Sequence, residues 1–106
     1  MNELYNILAE EENDDANRHY VLRLFITGAS LNSRRAVVNI REICDVHIKG
    51  KYTLEIVDVY QQKAVAEKEQ IIALPLLIKC FPLPERRMIG DMSDTQKVLK
   101  GLGLIN

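Results

Sequence analysis

The chain has 106 residues, 47% of them apolar and 27% charged, which fits one globular domain and leaves no material for a second core. No apolar run approaches the ~18 residues of a membrane span, and the acidic N-terminus excludes a secretory signal or transit peptide, so the expected compartment is cytoplasmic. The net charge of −1 hides a split: residues 1–17 hold six acids (Glu3, Glu10, Glu11, Glu12, Asp14, Asp15) and no base, whereas residues 18–106 hold nine acids and fourteen bases, a balance of +5.

Leu4, Ile7 and Leu8 fall at the i, i+3, i+4 spacing of a short amphipathic helix. Glu10 to Asn17 reads as an acidic, mobile linker, so residues 1–17 are a leader and 18–106 the domain. His19 to Thr27 is rich in aromatic and β-branched residues, and Arg23 alone interrupts its apolar run. That pattern predicts a central strand covered on both faces. Gly28 to Ser30 breaks it. A helix is predicted from Asn32 or Ser33 to His47, with Ala36, Val37, Ile40, Ile43, Cys44 and His47 inward and Arg34, Arg35, Arg41, Glu42 and Asp45 outward. Ser30, Asn32 and Ser33 are its capping candidates.

Lys49 to Lys51 is a turn, and the partial alternation from Tyr52 to Tyr60 predicts a second strand. Gln61 to Ala73 favours a helix that Pro75 ends. Leu76 to Phe81 is a third strand, and Arg87 to Gly90 a short edge strand beyond Pro82-Leu83-Pro84. Ser93 to Gln96 has the form of a capping box, opening a helix over Val98, Leu99 and Leu102. Gly101 and Gly103 suit its end. The resulting order, a βαβ half followed by a ββα half, is α/β and thioredoxin-like.

Most catalytic chemistry lacks its residues. A thioredoxin-like redox enzyme places C-x-x-C where the first strand meets the first helix. Here that junction reads Thr27 to Ser33 and contains no cysteine. Cys44 and Cys80, 36 residues apart, read as buried small hydrophobes. With His19 and His47 they form no metal-ligand spacing. Ser30 and Ser33 serve better as caps than as nucleophiles, and Asp58 reads as a hydrogen-bonded structural carboxylate. Gly28 and Gly90 make no phosphate loop. No enzyme, metal or cofactor is therefore expected. Arg34, Arg35 and Arg41, and Arg86 with Arg87, form basic clusters. Without interleaved exposed aromatics they argue against nucleic acid. Whether the bond before Pro75 is cis or trans stays open from sequence.

Phe25-Ile-Thr-Gly28, Asn32-Ser33-x-Arg35-Ala36 and Ile56-Val-Asp58-Val59 resemble the circadian-clock protein family KaiB. So do Ile72-Ala-x-Pro75-x-Leu77-x-Lys79, the run Pro82-x-Pro84-x-Arg86-Arg87-x-Ile89-Gly90-Asp91-x-Ser93-Asp94, and Lys97-Val98-Leu99-x-Gly101-Leu102. The resemblance runs from about Tyr20 to Ile105. It implies a non-enzymatic module that binds the ATPase KaiC and modulates its phosphorylation, and a relation to the sensory domain of a histidine kinase. It also implies a metamorphic chain, alternating between a ground-state tetramer fold and a thioredoxin-like monomer. Pro75, Pro82, Pro84, Gly101 and Gly103 all lie in the half that would refold. The docking residues implied are Arg35, Arg87, and the surface around Glu55 and Gln70.

This sequence departs from the family where lysines are usual, at Glu55 and Gln70, and where an Asp is usual, at Gly103. A charge reversal at a complementary interface costs up to several kcal/mol. The alternative expectation is therefore a homologue outside a true clock, a stress-response adaptor with another protein partner. Either way the chain is expected to form a homo-oligomer, dimer or tetramer, and to bind neither nucleic acid nor membrane.

Overall fold

The structure, a computed structural model, describes residues 18–28 and 30–106. The helix and linker expected within residues 1–17 lie outside the described residues. The elements run β1 (Tyr20–Ile26), α1 (Leu31–His47), β2 (Tyr52–Asp58), α2 (Lys63–Lys68), β3 (Leu76–Phe81), β4 (Arg86–Ile89) and α3 (Thr95–Leu102). The four strands form one sheet in the order β2-β1-β3-β4. β1 runs parallel to β2 and antiparallel to β3, and β4 is antiparallel to β3. This is the thioredoxin-like arrangement expected from the element order, and β1 is central as its apolar run predicted.

Side chains alternate across the sheet. Tyr20, Leu22 and Leu24 of β1, with Leu77 of β3 and Met88 of β4, meet Ala36, Ile40, Ile43 and Cys44 of α1 and Val98, Leu99 and Leu102 of α3 in the larger core. The other face carries a smaller cluster, Phe25, Val57, Leu76 and Ile78, with Val65 of α2 and Ile71 packed against it. Cys44 is buried as expected, whereas Cys80 is only partly buried. It stands at the margin of the smaller cluster.

Several boundaries differ from the sequence reading. Helix α1 starts at Leu31 because Ser30 is the cap, its Oγ accepting from the Ser33 N–H at 3.2 Å. Ser33 is buried inside the first turn, and its Oγ accepts from the Thr27 N–H at 3.1 Å. Strand β2 ends at Asp58, two residues early. The Asp58 carboxylate accepts from the Tyr60 N–H at 2.9 Å, and its carbonyl accepts from Gln61 and Gln62, which turns the chain.

The helix expected over 61–73 is shortened to Lys63–Lys68. Gln70 takes a left-handed conformation with φ 56°. The Ile71 N–H then donates to Ala66 and the Gln70 N–H to Glu67, each at 3.1 Å. That paired closure is a Schellman ending, usually built on glycine. Helix α3 closes in the same way on Gly103, with φ 78° and bonds from Gly103 to Lys100 and Leu104 to Leu99. Gly101 lies inside α3, where an added Cβ would overlap the Met88 side chain. The cap of α3 is Asp94, which accepts from the Lys97 N–H at 3.1 Å, in place of the expected Ser93. The Ser93 N–H is drawn instead to the Asp91 carboxylate at 3.0 Å. The edge strand lies one residue earlier than expected, at Arg86–Ile89. The peptide bonds before Pro75, Pro82 and Pro84 are all cis.

Candidate partner-docking face

The second sheet face is covered by a six-residue helix, α2, which reaches only part of it. The strand register sets Glu55 beside Arg23, Arg23 beside Ile78, and Ile78 beside Arg87. One row of side chains therefore crosses all four strands on this face. Three of its four members are charged.

The Arg23 guanidinium organises the row. Its Nε donates to Glu55 Oε1 at 2.8 Å, and its Nη1 donates to Glu69 Oε1 at 3.0 Å. Its Cζ lies 5.1 Å from the centre of the Phe25 ring, within cation–π range. Burial alone would lower the Arg23 pKa. Hydrogen bonds and charge from Glu55 and then Glu69 outweigh that and hold it above its usual value. Glu69, just past the end of α2, offers its second oxygen to Arg87 Nη2 at 3.7 Å. Arg87 also faces Glu85 at 3.8 Å. Val21 at 37% exposure and Ile89 at 53% lie on the same face and leave apolar surface beside the charges.

The structure therefore joins two of the residues singled out from sequence, Glu55 and Arg87, through two that were not, Arg23 and Glu69. The signal for Arg23 was the single charge inside an apolar strand. Gln70, exposed, follows Glu69 directly. Arg35 stands apart from this group: it is exposed on α1, which packs on the opposite sheet face. Pro75 immediately precedes β3, Pro82 and Pro84 lie within the β3–β4 turn, Gly101 lies inside α3 and Gly103 caps its end. Asp58 is a turn-forming acceptor, as read from sequence. Among the described residues no cluster of three metal-ligating side chains is present.

The thiols fit no exchange chemistry. Burial pushes the Cys44 pKa up to about 12, with the Asp45 charge adding to the effect. Burial also raises that of Cys80. The β1–α1 junction, where a redox thiol belongs, is occupied by Thr27 and the Ser30–Ser33 cap.

A family model described as the KaiB domain matches residues 23–104. The chain belongs to the KaiB family. A Synechocystis sp. relative, "Circadian clock protein KaiB3", is 50% identical over 91 residues, covering 86% of this chain and 88% of its own. A "Circadian clock oscillator protein KaiB" of Prochlorococcus marinus is 46% identical over 90 residues, covering 85% and 86%. Among solved structures, the N-terminal domain of Synechococcus elongatus SasA superposes with a TM-score of 0.66 at 18% identity, covering 84% of this chain and 88% of that one. Mitochondrial thioredoxin 3 of Saccharomyces cerevisiae gives 0.64 at 15% identity, covering 92% and 90%. At those identities the likeness is one of fold alone. The KaiB relatives are clock proteins by name, and the thioredoxins are distant from this chain in sequence. Among the described residues no helix is long and apolar enough to cross a membrane.

Proposed function

We propose that this KaiB-family chain is a protein-binding module that docks on a KaiC-type ATPase and modulates its phosphorylation. The observation that carries the reading is the ion-paired row of Glu55, Arg23 and Arg87 across an incompletely covered sheet face. Electrostatic complementarity sets the register and specificity of an interface. Arg23, Glu55 and Glu69, held by hydrogen bonds, and Arg87, held to Glu69 by a longer ion pair, present a fixed pattern at little further ordering cost. Arg23, Glu69 and Arg87 form its centre. Glu55 and Gln70 set it apart from lysine-bearing family members, so the cognate ATPase carries compensating charge. Arg35, on the far side of the sheet, contributes only if the partner wraps the end of α1.

In this reading the thioredoxin-like fold is the docking form. A second packing of the β3–α3 half, involving Pro75, Pro82, Pro84, Gly101 and Gly103, belongs to a resting homo-oligomer that withholds the surface. A pull-down against the cognate ATPase, with its phosphorylation followed over time and a native mass taken alongside, tests this. Wild type binds and shifts the phosphorylation level. Arg87→Glu weakens binding at least tenfold while the circular dichroism stays unchanged. Absence of association for a monomeric, thioredoxin-like preparation defeats the reading.

A further inference from the structure

We propose that two copies of this chain, each in the thioredoxin-like fold, pair through the outer face of α1 with their α1 helices antiparallel. Helix α1 buries Ala36, Ile40, Ile43 and Cys44 against the sheet. On its other side Leu31, Arg35, Val38, Glu42 and Asp45 are spaced alternately four and three residues apart, and all are exposed, as is Val46 beside them. Positions at that spacing share one helix face. Leu31 is 55% exposed, Val38 54% and Val46 76%, so the stripe carries apolar side chains where a solvated helix carries polar ones. Its charges are sorted along the axis. Arg34 and Arg35 stand near the start and Glu42 and Asp45 near the end, with Arg41 on the flank. None of Arg34, Arg35 and Glu42 makes an ion pair among the described residues. Asp45 gives one oxygen to the Tyr52 hydroxyl at 2.8 Å, and the charge of Asp91 reaches Arg35.

That sorting is self-complementary. Arg35 and Glu42 stand equally far from the Val38–Asn39 midpoint, ~5 Å either way along the axis, and Leu31 and Val46 stand ~11 Å either way. A two-fold axis through that midpoint sets Arg35 against the second copy's Glu42, Leu31 against the second copy's Val46, and Val38 beside its own counterpart. Each of the first two contacts then occurs twice. Arg34 comes within one turn of the second copy's Asp45. A parallel pairing aligns each charge with its own kind instead. The rival surface is the open edge of β4, where Ile89 is 53% exposed. Two antiparallel β4 strands bring the Arg86 and Arg87 of both copies together, and like charges across a strand pair are unfavourable. The α1 contact needs no refolding, because α1 lies outside the β3–α3 half, so it is distinct from the resting oligomer proposed above. It leaves the charged row on the opposite sheet face open and covers Arg35. What covering Arg35 does to docking rests on the reading above. The contact does not, and its test contains no ATPase, so the two fail separately.

A contact between two helices is small and sits at the weak end of specific association, so the test follows the full chain up to about 1 mM by sedimentation equilibrium, with amide spectra taken alongside. Wild type should approach the dimer mass. The amides of residues 31–46 should shift with concentration, while those around Glu67 on the opposite face stay fixed. Arg35→Glu and Glu42→Arg, each with unchanged circular dichroism, should weaken pairing at least about tenfold, because each turns two attractions into repulsions. Combining Arg35→Glu with Glu42→Arg should restore pairing to within about threefold of wild type. Raising the salt to about 0.5 M should weaken the wild-type pair. Four results would overturn the proposal: a wild type that stays monomeric, single reversals that pair as wild type does, a double reversal that stays apart, or concentration-dependent shifts centred on the β2 or β4 edge in place of α1.

Discussion

The two faces of the sheet solve different problems. Under α1 and α3 lies an apolar core, with Leu22, Leu24, Ala36, Ile40 and Cys44 wholly withdrawn from water. On the opposite face the buried cluster is smaller, and a guanidinium with two carboxylates occupies ground that apolar side chains take elsewhere. Burial of apolar area is the dominant stabilising term in folding, so the first face carries most of the stability. Ion pairs at partly exposed sites add little to stability, but they hold charge in place. The comparison teaches that this domain concentrates its stability on one side and leaves the other side charged and less completely buried.

The largest expected contrast comes from truncation. Leu102→Ala, at a site 1% exposed, should cost ~2–5 kcal/mol in urea unfolding. Val65→Ala, half-buried on α2, should cost less than about 1.5 kcal/mol. Equal losses would show the faces to be equivalent and break the comparison. Next is Arg23→Met, which removes two ion pairs and leaves Glu55 and Glu69 facing each other. A loss of roughly 1–2 kcal/mol is expected. That deficit should shrink in high salt, whereas the deficit of Leu102→Ala should not.

A smaller effect separates the faces by pH. The Tyr52 hydroxyl donates to Asp45 at 2.8 Å on the α1 side. That bond, then burial, raises its pKa from 10 to about 12. The neutral phenol is thus favoured in the folded state. Its contribution is complete below about pH 10 and is lost as the pH rises toward 12. Tyr52→Phe should cost ~1 kcal/mol at neutral pH and flatten this part of the alkaline unfolding curve. The smallest effect is kinetic. At pH 8 iodoacetamide should alkylate Cys80, on the more open face, well before Cys44, followed by intact mass. Faster loss of Cys44 would mean that the α1 face opens first.

Much of this fold was legible in the residues. The apolar run around Arg23 announced the central strand, and the 3–4 spacing of Ala36, Ile40, Ile43 and Cys44 announced the inward face of α1. Local chemistry that imitates a commoner signal was harder to read. Gln70 ends α2 from the left-handed region where glycine is the usual mark, so no glycine warned of the stop. Asp94 and Ser93 are both good caps, and only the turn at Asp91 decides between them. Of the candidate face, Glu55 and Arg87 were visible from sequence. Arg23 and Glu69 were not, because the bond between them spans 46 positions and exists only once β1 is paired and α2 is laid down.

The alternation along β3 has a consequence for errors in assembly. Ile78 sits in the charged row, and the next residue, Lys79, points to the opposite face. If β3 paired one residue out of register, every one of its side chains would change sides. Lys79 would then stand in line between Arg23 and Arg87, three like charges within cross-strand contact distance, which is unfavourable. The mispaired sheet would also lose the Ile78 anchor of the smaller core. The charged row thus sets an electrostatic penalty against a one-residue slip of β3, in addition to the lost apolar anchor.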